Sequence, residues 1–213
     1  MKKIIISIDG PAASGKGKIA KYISKKWKYK HLDSGTLYRR LAFILIKNQV
    51  NTDLEEDIKK SIKKIKTISY RKSKKLRTEE ISKIASKIAI YDFIRNFINK
   101  IQRNLVNSSS INDNFVIDGR DIGSVVFKNA KLKLYIDVDV KIRAKRRYKQ
   151  LIDIGEKSIY LQILKDIKLR DKTDKNRSIS PLVVPKGAKI INNNKSFSHT
   201  TSQINNLIKE INI

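Results

Sequence analysis

The chain has 213 residues, 40% of them apolar, which is enough for one α/β domain with smaller appendages and too apolar for a disordered chain. Cysteine is absent and only His31 and His199 carry imidazoles, which excludes disulfides and the usual zinc sites and leaves no Cys or Ser–His–Asp arrangement to pursue. The 48 basic and 20 acidic residues leave a net charge of +28, but the lysines are spread along the chain beside abundant Ile and Asn, so they read as solvated helix faces rather than a dedicated nucleic-acid surface.

No apolar run approaches the roughly 20 residues that cross a bilayer. The start, Met1-Lys2-Lys3 and then Ile4 to Ile6, is interrupted too abruptly by Asp9 and Gly10 for a signal peptide. A soluble cytoplasmic protein is expected. Ile4-Ile5-Ile6-Ser7-Ile8 is short and β-branched and ends at Asp9-Gly10, which predicts a buried strand running into a turn. Ile19, Ile23 and Trp27 then recur at helical spacing. His31-Leu32-Asp33 is a further short strand candidate between two helical patterns. Residues 51–103 are Lys-rich and mostly helical, with a weak extended patch over 65–71. Strands follow at Phe115 to Asp118 and Leu132 to Asp137. A helical stretch dense in Arg and Lys covers about 145–177, broken at Gly155. A last strand, Ala188 to Asn192, precedes a helix over Thr201 to Ile211 with Thr200 or Thr201 as its cap. Strands alternating with helices predict a parallel α/β sheet covered on both faces. Residues 51–103 and 145–177 stand outside that rhythm as insertions.

Gly10-Pro11-Ala12-Ala13-Ser14-Gly15-Lys16 matches the start of G-x-x-x-x-G-K-[ST], between a strand and a helix. Glycines let backbone N–H groups turn inward around phosphate oxygens, and the helix N-terminus adds partial positive charge. Lys16 is placed to reach the β- and γ-phosphates. Gly17 and Lys18 stand where a magnesium-binding hydroxyl is expected, so the metal site is the doubtful part of the motif.

Three further clusters follow in order. They are Leu32-Asp33-Ser34-Gly35-Thr36-Leu37-Tyr38-Arg39, then Asp118-Gly119-Arg120-Asp121-Ile122-Gly123-Ser124-Val125-Val126-Phe127, then Arg170-Asp171-Lys172-Thr173-Asp174-Lys175-Asn176-Arg177. Between the last two lies Arg143-Ala144-Lys145-Arg146-Arg147-Tyr148-Lys149-Gln150-Leu151, and Ser180-Pro181-Leu182 comes after them. With a phosphate loop in front, this series resembles the bacterial cytidylate kinases, and the resemblance spans nearly the whole chain.

The resemblance implies a P-loop NTPase fold: a five-stranded parallel sheet with helices on both faces, a CMP-binding insertion and an Arg-rich lid. The single domain then has a core at about 1–50, 104–145 and 178–213, an insertion at about 51–103 and a lid at about 146–177. It implies phosphoryl transfer from ATP, with Mg2+, to CMP or dCMP, by a protein that is usually monomeric. Gly10 to Lys18, that is Gly10, Pro11, Ala12, Ala13, Ser14, Gly15, Lys16, Gly17 and Lys18, would bind ATP, with Arg146 and Arg147 on the lid and ATP side. Ser34, Arg95 and Asp121 would recognise cytosine, Asp174 and Arg177 the sugar and its surroundings, and Tyr38, Arg39, Arg120 and Arg170 the CMP phosphate. Lys16, Arg120, Arg170 and Asp121 are the catalytic candidates.

These types suit the task. Guanidinium forks match phosphate oxygens in pairs, and a carboxylate accepts from the cytosine amine where uracil would present an oxygen. Phosphoryl transfer needs alignment and charge neutralisation rather than an enzyme nucleophile. Asp33, acting through water, and Asp121 are candidates for the magnesium shell or for orienting arginines.

Three departures from the family pattern stand out. Lys18 occupies the hydroxyl position, which predicts weaker magnesium binding; the segment from Ile65 to Leu76 is short where the family has a small antiparallel sheet; and Asn192-Asn193-Asn194 replaces a more usual acidic residue near the expected adenine position. Two rival readings are a kinase for another nucleoside monophosphate and a basic nucleic-acid-binding protein on a weakened P-loop fold. The second finds no aromatic series or RNA-binding signature beside its lysines.

Overall fold

The computed structural model describes residues 3–71 and 73–211. Met1 and Lys2, on which the reading of the N-terminus partly rests, lie outside the described residues. In chain order the elements are β1 (Ile5–Asp9), α1 (Lys16–Trp27), β2 (Lys30–Asp33), α2 (Ser34–Lys47), α3 (Glu55–Lys63), a 3-10 turn (Lys74–Arg77), α4 (Glu79–Ile88) and α5 (Asp92–Asn107). They continue as β3 (Phe115–Asp118), a π turn (Ile122–Val126), β4 (Leu132–Asp137), α6 (Val140–Ile152), α7 (Tyr160–Asn176), β5 (Lys189–Asn192) and α8 (Phe197–Ile211). No described helix is long and apolar enough to cross a membrane.

The five strands form one sheet in the order β2-β3-β1-β4-β5. β1 pairs in parallel with β3 on one side, Ile6 opposite Val116, and with β4 on the other, Ile6 opposite Leu132; β5 extends the sheet beyond β4. Central strands in a covered parallel sheet read as unbroken apolar runs, and Phe-Val-Ile-Asp of β3 is buried at every position.

The chain divides into two compact units, one comprising Met1–Leu32 with Ser109–Ile213, the other Asp33–Ser108. In the first, Ile19 and Ile23 of α1 and Ile204 and Ile208 of α8 pack against Ile6, Ile8, Val116, Leu134 and Ile136 of the sheet. Each such burial stabilises by about 1.5–3 kcal/mol. At the rim of this core Trp27 and Phe197 each meet Tyr22 edge-on, with ring centroids 6.0 and 5.9 Å away. The second unit has its own core, in which Leu37, Leu41 and Leu45 of α2 meet Ile58 of α3, Ile81, Ala85 and Ile88 of α4, and Ile94, Ile98 and Ile101 of α5. The spacing of three and four residues gives each helix one apolar face.

β1 is shifted by one residue from the expected stretch, and no strand occurs among the described residues between α3 and the 3-10 turn. Gly155 sits at φ 82° between α6 and α7, as a helix break requires. The expected cap of the last helix is corrected. α8 begins at Phe197, and Ser196 caps it, its hydroxyl accepting from His199 N at 3.2 Å. Thr200 and Thr201 lie inside the helix, where their hydroxyls bond Ser196 O and Ser198 O. The Lys195-Ser196-Phe197 run carried this signal, hidden by the threonines after it.

Candidate active site

In the first unit the turn after β1 is built around left-handed residues: Gly10 (φ 145°), Ala13 (φ 56°) and Gly15 (φ 89°). A Cβ on Gly10 would lie 2.6 Å from Ile136 O of β4, so no other residue fits there without moving the sheet backbone. A Cβ on Gly15 would lie 2.6 Å from the Asn193 amide. Lys16, the first residue of α1, is buried and donates through Nζ to Pro11 O at 2.6 Å and Ser14 Oγ at 3.1 Å. Burial, and then the positive charge of Arg120, holds its pKa well below the usual 10.5; Asp118, Asp9 and Asp174 act in the opposite direction.

Asp9 at the end of β1 is fully buried and accepts from Ile122 N at 2.7 Å and Gly123 N at 2.8 Å. It thereby fixes the turn that carries Arg120 and Asp121. Burial raises its pKa from 3.8 to about 6, the two backbone bonds lower it, Asp121 raises it and Lys16 lowers it. The folded chain thus holds the Asp9 proton more tightly than the unfolded chain does. The stability this contributes is full below about pH 4 and lost as pH rises through about 6, a change of about 3 kcal/mol. The stability of the wild type relative to Asp9→Asn, from urea unfolding, should therefore fall by that amount between about pH 4 and pH 7. A gap independent of pH would contradict it.

Further arginine–carboxylate contacts belong to the same unit. Arg120 Nε donates to Asp174 Oδ2 at 2.9 Å and Arg177 Nη1 to Asp174 Oδ1 at 3.2 Å. Burial alone would raise the pKa of Asp174, but Arg120, Arg170 and Arg177 outweigh it and hold the carboxyl below its usual range. Arg146 Nη2 donates to Asn193 O at 2.8 Å, and Nη1, buried without a hydrogen-bond partner, lies near Gly15 of the loop. Arg147 is half-buried on α6. His31 Nε2 lies 2.6 Å from Asp118 Oδ1, and the other carboxylate oxygen faces the Gly17 backbone.

The second unit holds the remaining candidates. Asp33 caps α2, accepting from Thr36 N at 3.0 Å, and takes Arg39 Nη2 at 3.2 Å and Arg77 Nη2 at 3.5 Å. Its carboxylate is arranged to orient arginines. Ser34 opens the helix and is buried. Arg95 on α5 is 2% exposed, donates through Nη1 to Ala89 O at 2.9 Å and lies over the Tyr38 ring, 5.8 Å from its centroid.

Lys18 places its ammonium 4.1 Å from the centre of the Phe197 ring on α8. Asn193 is buried beneath the loop, donating to Ser14 O at 2.8 Å and accepting from Thr200 Oγ1 at 2.8 Å. Sequence reasoning missed four participants: Asp9, Arg77, Arg143 and the loop-supporting role of Asn193. Only the asparagine run and the Arg-Ala-x-Arg-Arg motif drew attention to two of them.

A parallel sheet whose first strand runs into a glycine-bent loop capped by a buried lysine defines the P-loop nucleotide-binding fold. A solved structure, TT1252 from Thermus thermophilus, shares this fold with TM-score 0.53 over 99% of both chains at 14% identity. The chain belongs to the cytidylate kinase family, whose model matches residues 6–211. The cytidylate kinase of Rickettsia africae (strain ESF-5) is 41% identical over 206 residues, covering 96% of this chain and 91% of that one. The cytidylate kinase of Fusobacterium nucleatum subsp. nucleatum is 37% identical over 191 residues, covering 85% and 86%.

Proposed function

We infer that this chain transfers the γ-phosphoryl group of ATP to CMP or dCMP, giving ADP and CDP or dCDP, and that it works as a monomer. The observation that carries the reading is the cytidylate kinase match along residues 6–211, with Lys16 seated in the loop that the match includes. In this reading the residues at 10–18 cradle the ATP phosphates, and Lys16 gives up its contacts with Pro11 and Ser14 to reach them. Arg146 supplies a ready donor beside the loop, and Arg147 serves the same lid at residues 146–177. Arg120 and Arg170 neutralise charge on the transferred group, and Asp121 accepts from the cytosine amine. Asp174 and Arg177 serve the sugar. In the insertion and α2, Ser34 and Arg95 face the base, while Tyr38 and Arg39 hold the acceptor phosphate.

A magnesium ion bound with ATP would neutralise charge on the β- and γ-phosphates. The residues fit it only as an ion held mainly by the nucleotide and water, with the Asp118 carboxylate beside Gly17 as a candidate to hold that water. Lys18 offers no hydroxyl and its ammonium is engaged with Phe197, while Asp33 is occupied by Thr36, Arg39 and Arg77. Lys18→Thr should lower the magnesium concentration that half-saturates turnover, and should strengthen Mg–ATP binding measured by calorimetry without acceptor. Unchanged magnesium dependence in both would remove the idea.

The deciding assay supplies ATP and magnesium with CMP, dCMP, UMP or AMP separately and follows ADP. Fastest turnover is expected with the cytidine nucleotides. Equal rates with UMP would remove the cytosine assignment, and absent turnover with tight, salt-sensitive RNA binding would replace the kinase reading.

A further inference from the structure

We propose that Arg143 is a positioning residue that sets the phosphate loop and ties it to helix α7, which carries Arg170 and Asp174. The proposal rests on the kinase reading above only for the meaning of turnover. Arg143 is 4% exposed, so its charge is buried and must be met by oriented acceptors. It is met at three places. Nε donates to Val138 O at 3.0 Å, just past the end of β4. Nη1 donates to Ala12 O in the loop at 3.2 Å and to Asp171 Oδ1 on α7 at 3.0 Å, while Nη2 takes Asp171 Oδ2. The fork-to-carboxylate pairing fixes both planes at once, which a lysine in the same place could not do.

The effect on the loop follows from peptide geometry. The amide plane is rigid and trans, so the Ala12 carbonyl and the Ala13 N–H point in opposite directions. Holding Ala12 O against Arg143 therefore turns the Ala13 N–H away from the guanidinium. Asn193 does the same two residues on, holding Ser14 O and so directing the Gly15 N–H. A loop that binds phosphate through N–H groups has to have those donors aimed before the ligand arrives, because reorganisation at binding costs affinity. Asp171 also lies between Arg170 and Asp174 on α7, and Asp174 in turn holds Arg120 and Arg177. A single buried guanidinium thus fixes the loop and the helix that carries Arg170 and Asp174.

Two variants test this. Asp171→Asn keeps the shape and removes the paired charge. Arg143→Met with Asp171→Leu replaces the ion pair by apolar groups of similar size, an exchange that often leaves stability unchanged or raised. The readouts are ATP affinity without acceptor, KM for ATP and for CMP, turnover number and melting temperature. Both variants should lose about 10- to 100-fold in kcat/KM for ATP and bind ATP alone more weakly, with the double variant melting no lower than the wild type. Wild-type ATP affinity and turnover in the double variant would reduce Arg143 to a stability role, and an Asp171→Asn protein with unchanged ATP binding would overturn the proposal. A wild type that binds ATP yet phosphorylates no cytidine nucleotide would instead count against the acceptor assignment and leave this one standing.

Discussion

Lys16→Met is expected to lower kcat/KM with CMP by about 10²–10³-fold or more, the scale on which single preorganised charge-stabilising groups act. The fold should survive. The ammonium is buried, and burial together with Arg120 holds its pKa well below 10.5, so the folded chain gains nothing from the charge itself. Methionine fills the same volume without that cost, and the melting temperature should hold or rise. Circular dichroism and a coupled ADP assay on one preparation check both halves. Turnover near that of the wild type would mean that the β- and γ-phosphates are neutralised elsewhere, and a collapsed melt would make Lys16 structural.

The second large effect concerns the acceptor. Asp121→Asn and Arg95→Lys should each reduce kcat/KM for CMP by about 10²-fold while leaving ATP affinity within about threefold. Sites built on hydrogen bonds to a base discriminate by factors up to about 10⁴–10⁵, and each variant should narrow the preference for CMP over UMP. Asp121 is buried, and an amide in its place can turn a donor towards the uracil oxygen. Arg95 is 2% exposed between the Ala89 carbonyl and the Tyr38 ring, so lysine keeps the charge and loses the planar fork. Equal losses for ATP and CMP would contradict this division of labour.

The sheet was legible because its strands are short β-branched runs ended by glycine or aspartate, and the loop because its glycines and lysine sit at fixed spacing between a strand and a helix. What escaped were contacts between residues far apart in the chain. Nothing local to Asp9 indicates that its carboxylate will bind the backbone at 122 and 123, and nothing near Arg143 indicates that it will reach Ala12 and Asp171. Lys18 shows the same limit. Its substitution was conspicuous, but only the packing of α8 against α1 revealed a ring for its ammonium to face. The error at the start of α8 had a different cause, since two threonines inside the helix mimic a cap while Ser196, four and five residues before them, does the work.

Trp27 is the only tryptophan in the sequence, and it sits at the end of the helix that Lys16 begins, edge-on to Tyr22 with the Lys26 ammonium 5.0 Å from its ring centre. Its fluorescence is therefore a built-in reporter of one compact unit and is blind to the other. Emission excited at the red edge, followed through a denaturant titration beside far-ultraviolet ellipticity from all the helices, will separate a single cooperative melt from two. It needs no dye, label or added residue.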